Sequence, residues 1–197
     1  MDRRSGMIDH LSALPALSQE WLAALKITDP EVRAELAGTI VIVPAAHPVA
    51  TGLPAGVDAA LAVVELSGKE IGAFRFAPAA GYDARGRIAA HDARVRDYYD
   101  SGDDIVFVGD HGAGHVFVSP HGVGLLDTHA QPPRIRALAR DFAGFLIAQA
   151  NAYDAYRRCL VRAEDLAGYH AAVEACAALP VMAGVEVATI FDAQRSG

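Results

Sequence analysis

Four histidines are concentrated in one stretch of nineteen residues near the middle of the chain: His111, His115, His121 and His129. Asp110 and Asp127 stand beside them in the sequence. Imidazole nitrogens and carboxylate oxygens are the usual protein ligands of zinc and iron. A catalytic metal centre needs three such ligands that converge on one ion and leave a position open for substrate. This stretch is therefore where a metal-dependent reaction has to be considered first.

The local sequence does not favour convergence of these ligands. His111 and His115 are four residues apart, which would suit one face of a helix, but Gly112 and Gly114 predict a turn between strands instead. His121 and His129 stand at the two ends of a predicted strand. We therefore expect the histidines to occupy turns and the rim of a sheet, with no bound metal and no other cofactor. A small metal-dependent enzyme that uses the cluster from His111 to His129 is the alternative.

Other catalytic arrangements have less support. The glycine-rich segment 109–114 lacks the GK[ST] ending of a phosphate-binding loop, and the chain contains no G-x-S-x-G nucleophile elbow. Cys159 and Cys176 lie in apolar segments with helical spacing, where cysteines are usually inert packing residues. No complete catalytic set is present, so the sequence predicts a protein that is not an enzyme.

Composition restricts the classes of partner. The chain has 197 residues, of which 52% are hydrophobic and 21% charged, and this excludes global disorder. Its formal net charge of −7 disfavours nucleic acid and favours a basic protein partner. No apolar stretch approaches the roughly 20 residues that span a bilayer. We expect a cytoplasmic protein that binds neither nucleic acid nor membrane, and the oligomeric state stays open.

The hydrophobic pattern predicts helices, then strands, then helices again. Apolar spacing of three and four predicts helix over most of the first forty residues, with a new helix starting at Asp29-Pro30 and ending near Gly38. The pattern predicts strands at 39–43, 61–66 and 71–76, with the last two joined by a hairpin turn at 67–70. Residues 77–103 are expected to form a long excursion with a short helix at 93–99.

The second half contains the clearest strands. Segments 104–109, 114–119 and 122–127 predict a three-stranded antiparallel meander. A long amphipathic helix is expected from Ile135 to about Leu160, and a second one over 165–178, whereas 181–191 fits either a strand or a helix. The fold class is α+β, with an antiparallel or mixed β-sheet flanked by helices and a helical C-terminal extension. We expect one domain over 1–197, with its core at 39–163 and helical extensions at 7–38 and 164–197.

Residues 103–117 combine aspartates, an apolar strand, a glycine-rich turn and an aromatic residue in a second strand. In this segment Gly109, Asp110, Gly112, Gly114 and Phe117 stand in the register of the central signature of the SMI1/KNR4 (SUKH) superfamily, which the chain resembles. Segment 126–129 looks like the family's "D-H" motif, and 141–146 looks like its "sF-x-x-F" helix. The chain departs from the family in having His115 where an aspartate is usual and Leu126 where a tryptophan is usual.

The resemblance implies an α+β domain whose role is protein binding. Many bacterial members of the superfamily look like immunity proteins, which bind and neutralise toxin domains, and many such toxins are basic. We therefore expect a non-enzymatic, SUKH-type immunity protein that binds a toxin domain. The candidate partner-binding residues combine the conspicuous tyrosines, aspartates and histidines of this region: Tyr98, Tyr99, Asp103, Asp104, Asp110, His111, His115 and His129.

Overall fold

A computed structural model describes residues 7–196 except 79, 80, 82, 100, 101, 103 and 113. The helices are α1 (Leu14–Ala24), α2 (Pro30–Ile40), α3 (Val57–Leu61), α4 (Ala84–Arg96), α5 (Phe142–Ala155), α6 (Leu166–Ala177) and α7 (Val187–Ser196). The strands are β1 (Val43–Pro44), β2 (Val64–Glu65), β3 (Glu70–Ile71), β4 (Phe74–Phe76), β5 (Val106–His111), β6 (Gly114–Ser119), β7 (Gly122–Asp127) and β8 (Arg134–Ala139). Short 3-10 turns precede α1 and α7, and a π-helical turn (Tyr156–Val161) follows α5.

The main sheet is a six-stranded antiparallel meander. Its strands lie in sequence order from β3 to β8, and each pairs with the next one along the chain. β1 and β2 form a separate antiparallel pair. The predicted α+β class and the predicted meander are confirmed: β6 and β7 have the expected bounds, and β5 is displaced by two residues from 104–109.

Helix α5 covers one face of this sheet. Asp141 caps its N-terminus by accepting a hydrogen bond from Gly144 N at 2.7 Å. The first turn then places Phe142 and Phe145 against Phe74 of β4, with ring centroids 6.4 and 5.0 Å apart. All three rings are fully buried, and burial of each contributes about 1.5–3 kcal/mol to folding. This aromatic cluster forms the centre of the hydrophobic core.

The first and last helices pack on the same core. The Tyr169 hydroxyl of α6 donates to the Phe191 carbonyl of α7 at 2.7 Å, and both rings are buried. At the other end, the Trp21 ring packs edge-on against Tyr153 of α5, with ring centroids 4.9 Å apart. The N-terminal and C-terminal helices therefore share one core with the sheet.

The strand predicted at 39–43 is wrong. Helix α2 continues to Ile40, and only Val43 and Pro44 form a strand, paired with β2. Asp29 caps α2 by accepting from Glu31 N and Val32 N, and Pro30 occupies the first turn. A helix with so strong a start takes in Thr39 and Ile40, the first residues of the β-branched run, so local β propensity loses to helix propagation there.

The hairpin predicted at 67–70 is also wrong. Helix α3 takes the first residue of the predicted strand 61–66, and the hairpin joins β3 to β4 instead. Gly72 supplies the turn with a φ of +60°, which residues other than glycine rarely adopt. Segment 67–70 forms a different turn, closed by Lys69 N donating to the Leu66 carbonyl at 2.8 Å, which leads from one sheet into the other.

Two helix predictions need correction as well. The helix predicted at 93–99 is the longer α4, which begins at Ala84. The helix predicted from Ile135 begins only at Phe142, because residues 134–139 form β8 beside β7. Helix α6 confirms the helix predicted over 165–178, and segment 181–191 resolves into a 3-10 turn and α7. In the part of the chain that the structure describes, no helix is long and apolar enough to cross a membrane.

Candidate functional site

Helix α4 lies against the face of the sheet opposite α5 and builds one wall of a cleft. Asp83 caps the helix by accepting from Gly86 N at 2.7 Å. The residues that α4 buries recur at intervals of four, three and four: Ala84, Ile88, His91 and Val95. This helical periodicity turns His91 inward, toward β5.

Side-chain contacts hold α4 in register with β5. One carboxylate oxygen of Asp92 accepts from Phe107 N at 2.8 Å, and the other accepts from Arg96 Nε at 2.8 Å. Arg96 also donates to the Ile105 carbonyl. Next to these contacts, Val95 of α4 packs with the rings of Phe107 and Phe117 in a small second core. The helix therefore holds the residues of its inner face in place over β5 and β6.

Asp110 and His115 face each other across β5 and β6, where their Cα atoms are paired in the sheet register. His115 Nδ1 donates to Asp110 Oδ1 at 2.8 Å. From α4, Arg94 Nη2 donates to Asp110 Oδ2 at 3.1 Å and to His91 Nδ1 at 3.0 Å. Asp110 is thus the centre of a network that joins one helix to two strands.

His91 is the fully buried member of this network. Its Nε2 lies 3.6 Å from Asp110 Oδ1, beyond hydrogen-bonding distance, and has no hydrogen-bond partner among the described residues. Burial lowers the pKa of His91, and Arg94 and His115 add to this effect. The Asp110 charge and the Gly109 backbone oppose it, although the Gly109 backbone lies outside hydrogen-bonding geometry for Nε2. The ring is therefore neutral near pH 7, with a buried polar nitrogen aimed at a carboxylate.

Asp110 stays ionised for a complementary reason. Burial raises the pKa of its carboxyl group, but the hydrogen bond from His115 and the electrostatic attraction of the neighbouring Arg94, His91 and His115 side chains together outweigh burial. The net result is a pKa below the usual value. The cleft therefore contains one carboxylate anion and one guanidinium cation beside two imidazole rings.

Tyr98 and Tyr99 follow α4 and form the outer wall. Tyr98 is 80% exposed, whereas the half-buried Tyr99 packs on the His115 ring with centroids 5.7 Å apart. The cleft has a volume of about 490 Å³ and extends from these tyrosines to Thr128 and His129. It is large enough for a small ligand or a partner's side chains.

A second, more apolar groove adjoins the cleft and shares both tyrosines with it. It has a volume of about 390 Å³, and Phe117, Leu126 and Ile135 contribute to its floor and far wall. The Ile135 side chain is 64% exposed, which is unusual for so large an apolar residue. The cleft and the apolar groove together form one concave surface on the α4 side of the sheet.

The structure brings five of the eight candidate partner-binding side chains to this cleft: Tyr98, Tyr99, Asp110, His115 and His129. His111 borders the cleft, but alternation along β5 directs its side chain to the α5 face, beside Gln149. Burial there lowers the pKa of His111 to about 4, with Gln149 opposing. Asp104 lies beside a third cavity of about 240 Å³, which also contains His121. Asp103 lies outside the described residues.

The histidine cluster proposed from the sequence is therefore divided between sites. His111 lies on the other face from His115, and His121 lies at the far end of β6. In the described ranges, the one group of three side chains whose potential ligand atoms all lie within 4.8 Å of one another is His91, Asp110 and His115. As expected, the chain turns between His111 and His115, which lie on the paired strands β5 and β6. A spacing of four residues would bring two histidines together on a helix, but it does not do so here.

Sequence reasoning missed His91 and Arg94, because residues 77–103 were expected to be mostly irregular. The signal was nevertheless present: Asp83 is a good cap, and the spacing of Ala84, Ile88, His91 and Val95 is helical. Extending the predicted helix back to its cap would have placed His91 on the buried face and Arg94 one turn away.

The arrangement defines an α+β domain with an antiparallel meander, covered by α5 on one face and lined by a polar cleft on the other. Comparison with protein-family models, with curated proteins and with solved structures finds no match to this chain.

Proposed function

We propose that this protein is a non-enzymatic protein-binding module that binds its partner with the α4 side of the sheet. The observation that carries the proposal is the exposure of Tyr98 (80%) and Ile135 (64%), which both line the apolar groove. Large apolar side chains that line a concave surface, with polar groups beside them, are typical of interaction sites.

The composition of this surface supports tight rather than incidental binding. Tyrosine contributes a large, rigid contact area, and aromatic residues that fill a partner's pockets dominate the binding energy of many interfaces. Tyr99 is already packed against His115, so it loses little conformational entropy when a partner binds. Tyr98 is the residue we expect to gain most contact, because almost all of its ring is exposed.

Charge suggests the chemistry of the partner. The net charge of −7 attracts a basic protein over long distances and accelerates encounter. Asp104 is exposed next to the groove, whereas the cations Arg94 and Arg136 are already paired with Asp110 and Asp127. Together with the resemblance to the SUKH superfamily, this supports an immunity protein that neutralises a basic toxin domain.

The test is a calorimetric titration with the C-terminal domain encoded by the gene that neighbours this protein's own. We expect nanomolar affinity for the wild-type protein, and a loss of at least roughly tenfold for Tyr98→Ala and for Ile135→Ser. Val161→Ser is the matched control, because Val161 is 62% exposed but follows α5 on the other side of the sheet. No binding at micromolar concentrations, or equal affinity for all variants, would overturn the proposal.

A second candidate, a small metal-dependent enzyme, is favoured by one observation. The sequence placed this alternative on the cluster from His111 to His129, whereas His91, Asp110 and His115 are the side chains that come together. Such an enzyme requires first that the cleft binds a metal ion.

A further inference from the structure

We propose that His91, Asp110 and His115 form a binding site for one divalent transition-metal ion of the Zn²⁺ or Fe²⁺ class, with an open coordination position toward the cleft. The proposal does not depend on the protein-binding function above. It rests on three observations: the convergence of the donor atoms, a buried nitrogen without a partner, and a displaceable cation beside them.

The donor atoms already lie near the spacing of metal ligands. Asp110 Oδ1 is 3.6 Å from His91 Nε2 and 2.8 Å from His115 Nδ1. Ligands bound at about 2.0–2.2 Å in a tetrahedral site are separated from one another by roughly 3.4 Å. A movement of His115 by roughly half an ångström away from Asp110 brings this pair to the same spacing. The potential ligand atoms of the three side chains all lie within 4.8 Å of one another. Two histidines and one carboxylate are a known ligand set for zinc and for non-haem iron.

His91 provides the independent observation. Its side chain is completely buried, and Nε2 has no hydrogen-bond partner within the described part of the chain. A buried polar atom without a partner destabilises the folded state. An ion between Nε2 and Asp110 Oδ1 would satisfy that nitrogen. No other buried side chain on the described part of α4 leaves an atom unsatisfied in this way.

The scaffold holds the three ligands with little freedom. Asp110 and His115 are directly paired on adjacent strands, and His91 is fixed on α4 by the contact between Asp92 and Phe107 N. Tyr99 and Phe107 pack on the His115 ring from the cleft side and from the sheet. Ligands on rigid elements lose little entropy when they bind an ion, which favours a specific site.

Arg94 occupies the position of a competing cation. Its guanidinium group donates to Asp110 and to His91 Nδ1, so neutral His91 carries its single proton on Nε2 in the metal-free protein. Coordination through Nε2 requires the neutral ring to carry that proton on Nδ1, and His115 likewise must move its proton from Nδ1 to Nε2. Arg94 cannot donate to a protonated Nδ1. Its side chain is 52% exposed and can swing into solvent as the ion takes over its charge.

The metal therefore competes with Arg94, and this predicts an unusual mutational effect. Arg94→Gln removes the competing charge and supplies an amide oxygen that can accept from His91 Nδ1–H. Such outer contacts commonly change metal affinity by about 10–100-fold. We expect the Arg94→Gln protein to bind metal roughly tenfold more tightly than the wild-type protein. If the ion were bound by surface ligands outside this network, its affinity would not change in the Arg94→Gln protein.

The experiment uses the full chain, without an affinity tag and after removal of metal by chelation. Co²⁺ is titrated and followed by its visible absorption, which reports the coordination geometry, and Zn²⁺ is titrated by calorimetry. We expect one ion per chain. Asp110→Asn and His115→Ala should weaken binding by at least roughly 100-fold, and Arg94→Gln should strengthen it.

Three matched controls keep the test specific. His129→Ala removes a histidine from the same cleft, His121→Ala removes one from another cavity, and Cys159→Ser removes the half-buried thiol. None of these should change affinity. The urea midpoint of each metal-free variant shows that it is folded, and Arg94→Gln keeps the test decisive if a ligand variant fails to fold. Absence of stoichiometric binding, binding that survives Asp110→Asn and His115→Ala, or binding lost in a control would overturn the proposal.

Discussion

Asn151, in the middle of α5, binds the backbone of Ile8 with both ends of its side-chain amide. Its Oδ1 accepts from Ile8 N at 2.9 Å, and its Nδ2 donates to the Ile8 carbonyl at 2.9 Å. The two residues are 143 positions apart in sequence. This pair replaces the strand or helix partner that the backbone of Ile8 lacks, and it attaches the N-terminal segment to the centre of the core.

Replacing Asn151 with Ala should therefore release the N-terminal segment. Two neutral hydrogen bonds at about 1 kcal/mol each, in a site where the side chain is 2% exposed, predict a loss of about 2 kcal/mol in the free energy of unfolding. Urea denaturation measures the loss, and amide hydrogen exchange should show faster exchange at Ile8 and Leu11. Ser12→Ala is the control, because the Ser12 hydroxyl forms a local, exposed hydrogen bond with His10. Equal urea midpoints for Asn151→Ala and wild type would contradict this account.

Two glycine-to-alanine changes should have opposite effects on stability. A Cβ at Gly109 of β5 would lie 2.4 Å from the Arg75 carbonyl oxygen and 2.6 Å from the Phe74 ring, so the adjacent strand would have to shift. We expect Gly109→Ala to destabilise the protein by about 1–3 kcal/mol. Gly38, inside α2, has no atom within 4 Å of such a Cβ, and Gly38→Ala should stabilise by about 0.5–1 kcal/mol.

The comparison is made by thermal or urea unfolding of both variants beside the wild type. It separates two explanations for Gly109 in the glycine-rich segment. A role in binding would leave stability unchanged, whereas close approach of β4 predicts the loss. If Gly109→Ala leaves stability unchanged or raises it, the packing explanation for Gly109 is wrong, and if Gly38→Ala lowers stability, the expectation for Gly38 is wrong.

Elements whose shape depends on contacts between residues close in sequence were predictable, whereas elements that depend on a neighbouring strand or helix were not. The meander from β5 to β7 was predictable because β-branched and aromatic residues alternate between glycine-containing turns, and adjacent strands simply pair in order. The segment that forms β8 was mistaken for a helix because Ile135 and Leu138 have helical spacing. Only the neighbouring β7, with the ion pair between Arg136 and Asp127 at 2.7 Å, determines that it is a strand.

The site was predictable in part for a similar reason. The pairing of Asp110 with His115 follows from the turn between their strands, and the glycines of that segment predicted the turn. The approach of His91 depends on how α4 docks against β5, and no short-range pattern specifies that contact. His111, by contrast, was grouped with His115 because the two are close in sequence. Alternation along β5 places the side chain of His111 on the face opposite that of its neighbour Asp110, and therefore away from His115.

Asp58, at the start of α3, links the loop before it to the helix and makes stability depend on pH. Its carboxylate accepts from Thr51 N at 2.7 Å, from Gly52 N at 3.1 Å and from the Thr51 hydroxyl. Burial raises the pKa of Asp58, but these three hydrogen bonds outweigh burial and hold the pKa below its usual value. The folded state therefore favours the ionised form more than the unfolded state does.

The sign of the effect follows from proton linkage. Because the folded pKa lies below the unfolded one, the unfolded state binds more protons as pH falls, and the contribution of Asp58 is lost below about pH 4. At pH 7, Asp58→Asn should lower the free energy of unfolding by about 1–3 kcal/mol. The difference from wild type should shrink steadily in urea titrations at pH 5, 4 and 3. Asp29→Asn is the matched control, because Asp29 also accepts backbone hydrogen bonds at the start of a helix, but at an exposed position. A difference for Asp58→Asn that is the same at pH 7 and pH 3 would mean that the loop depends on the shape of this side chain and not on its charge.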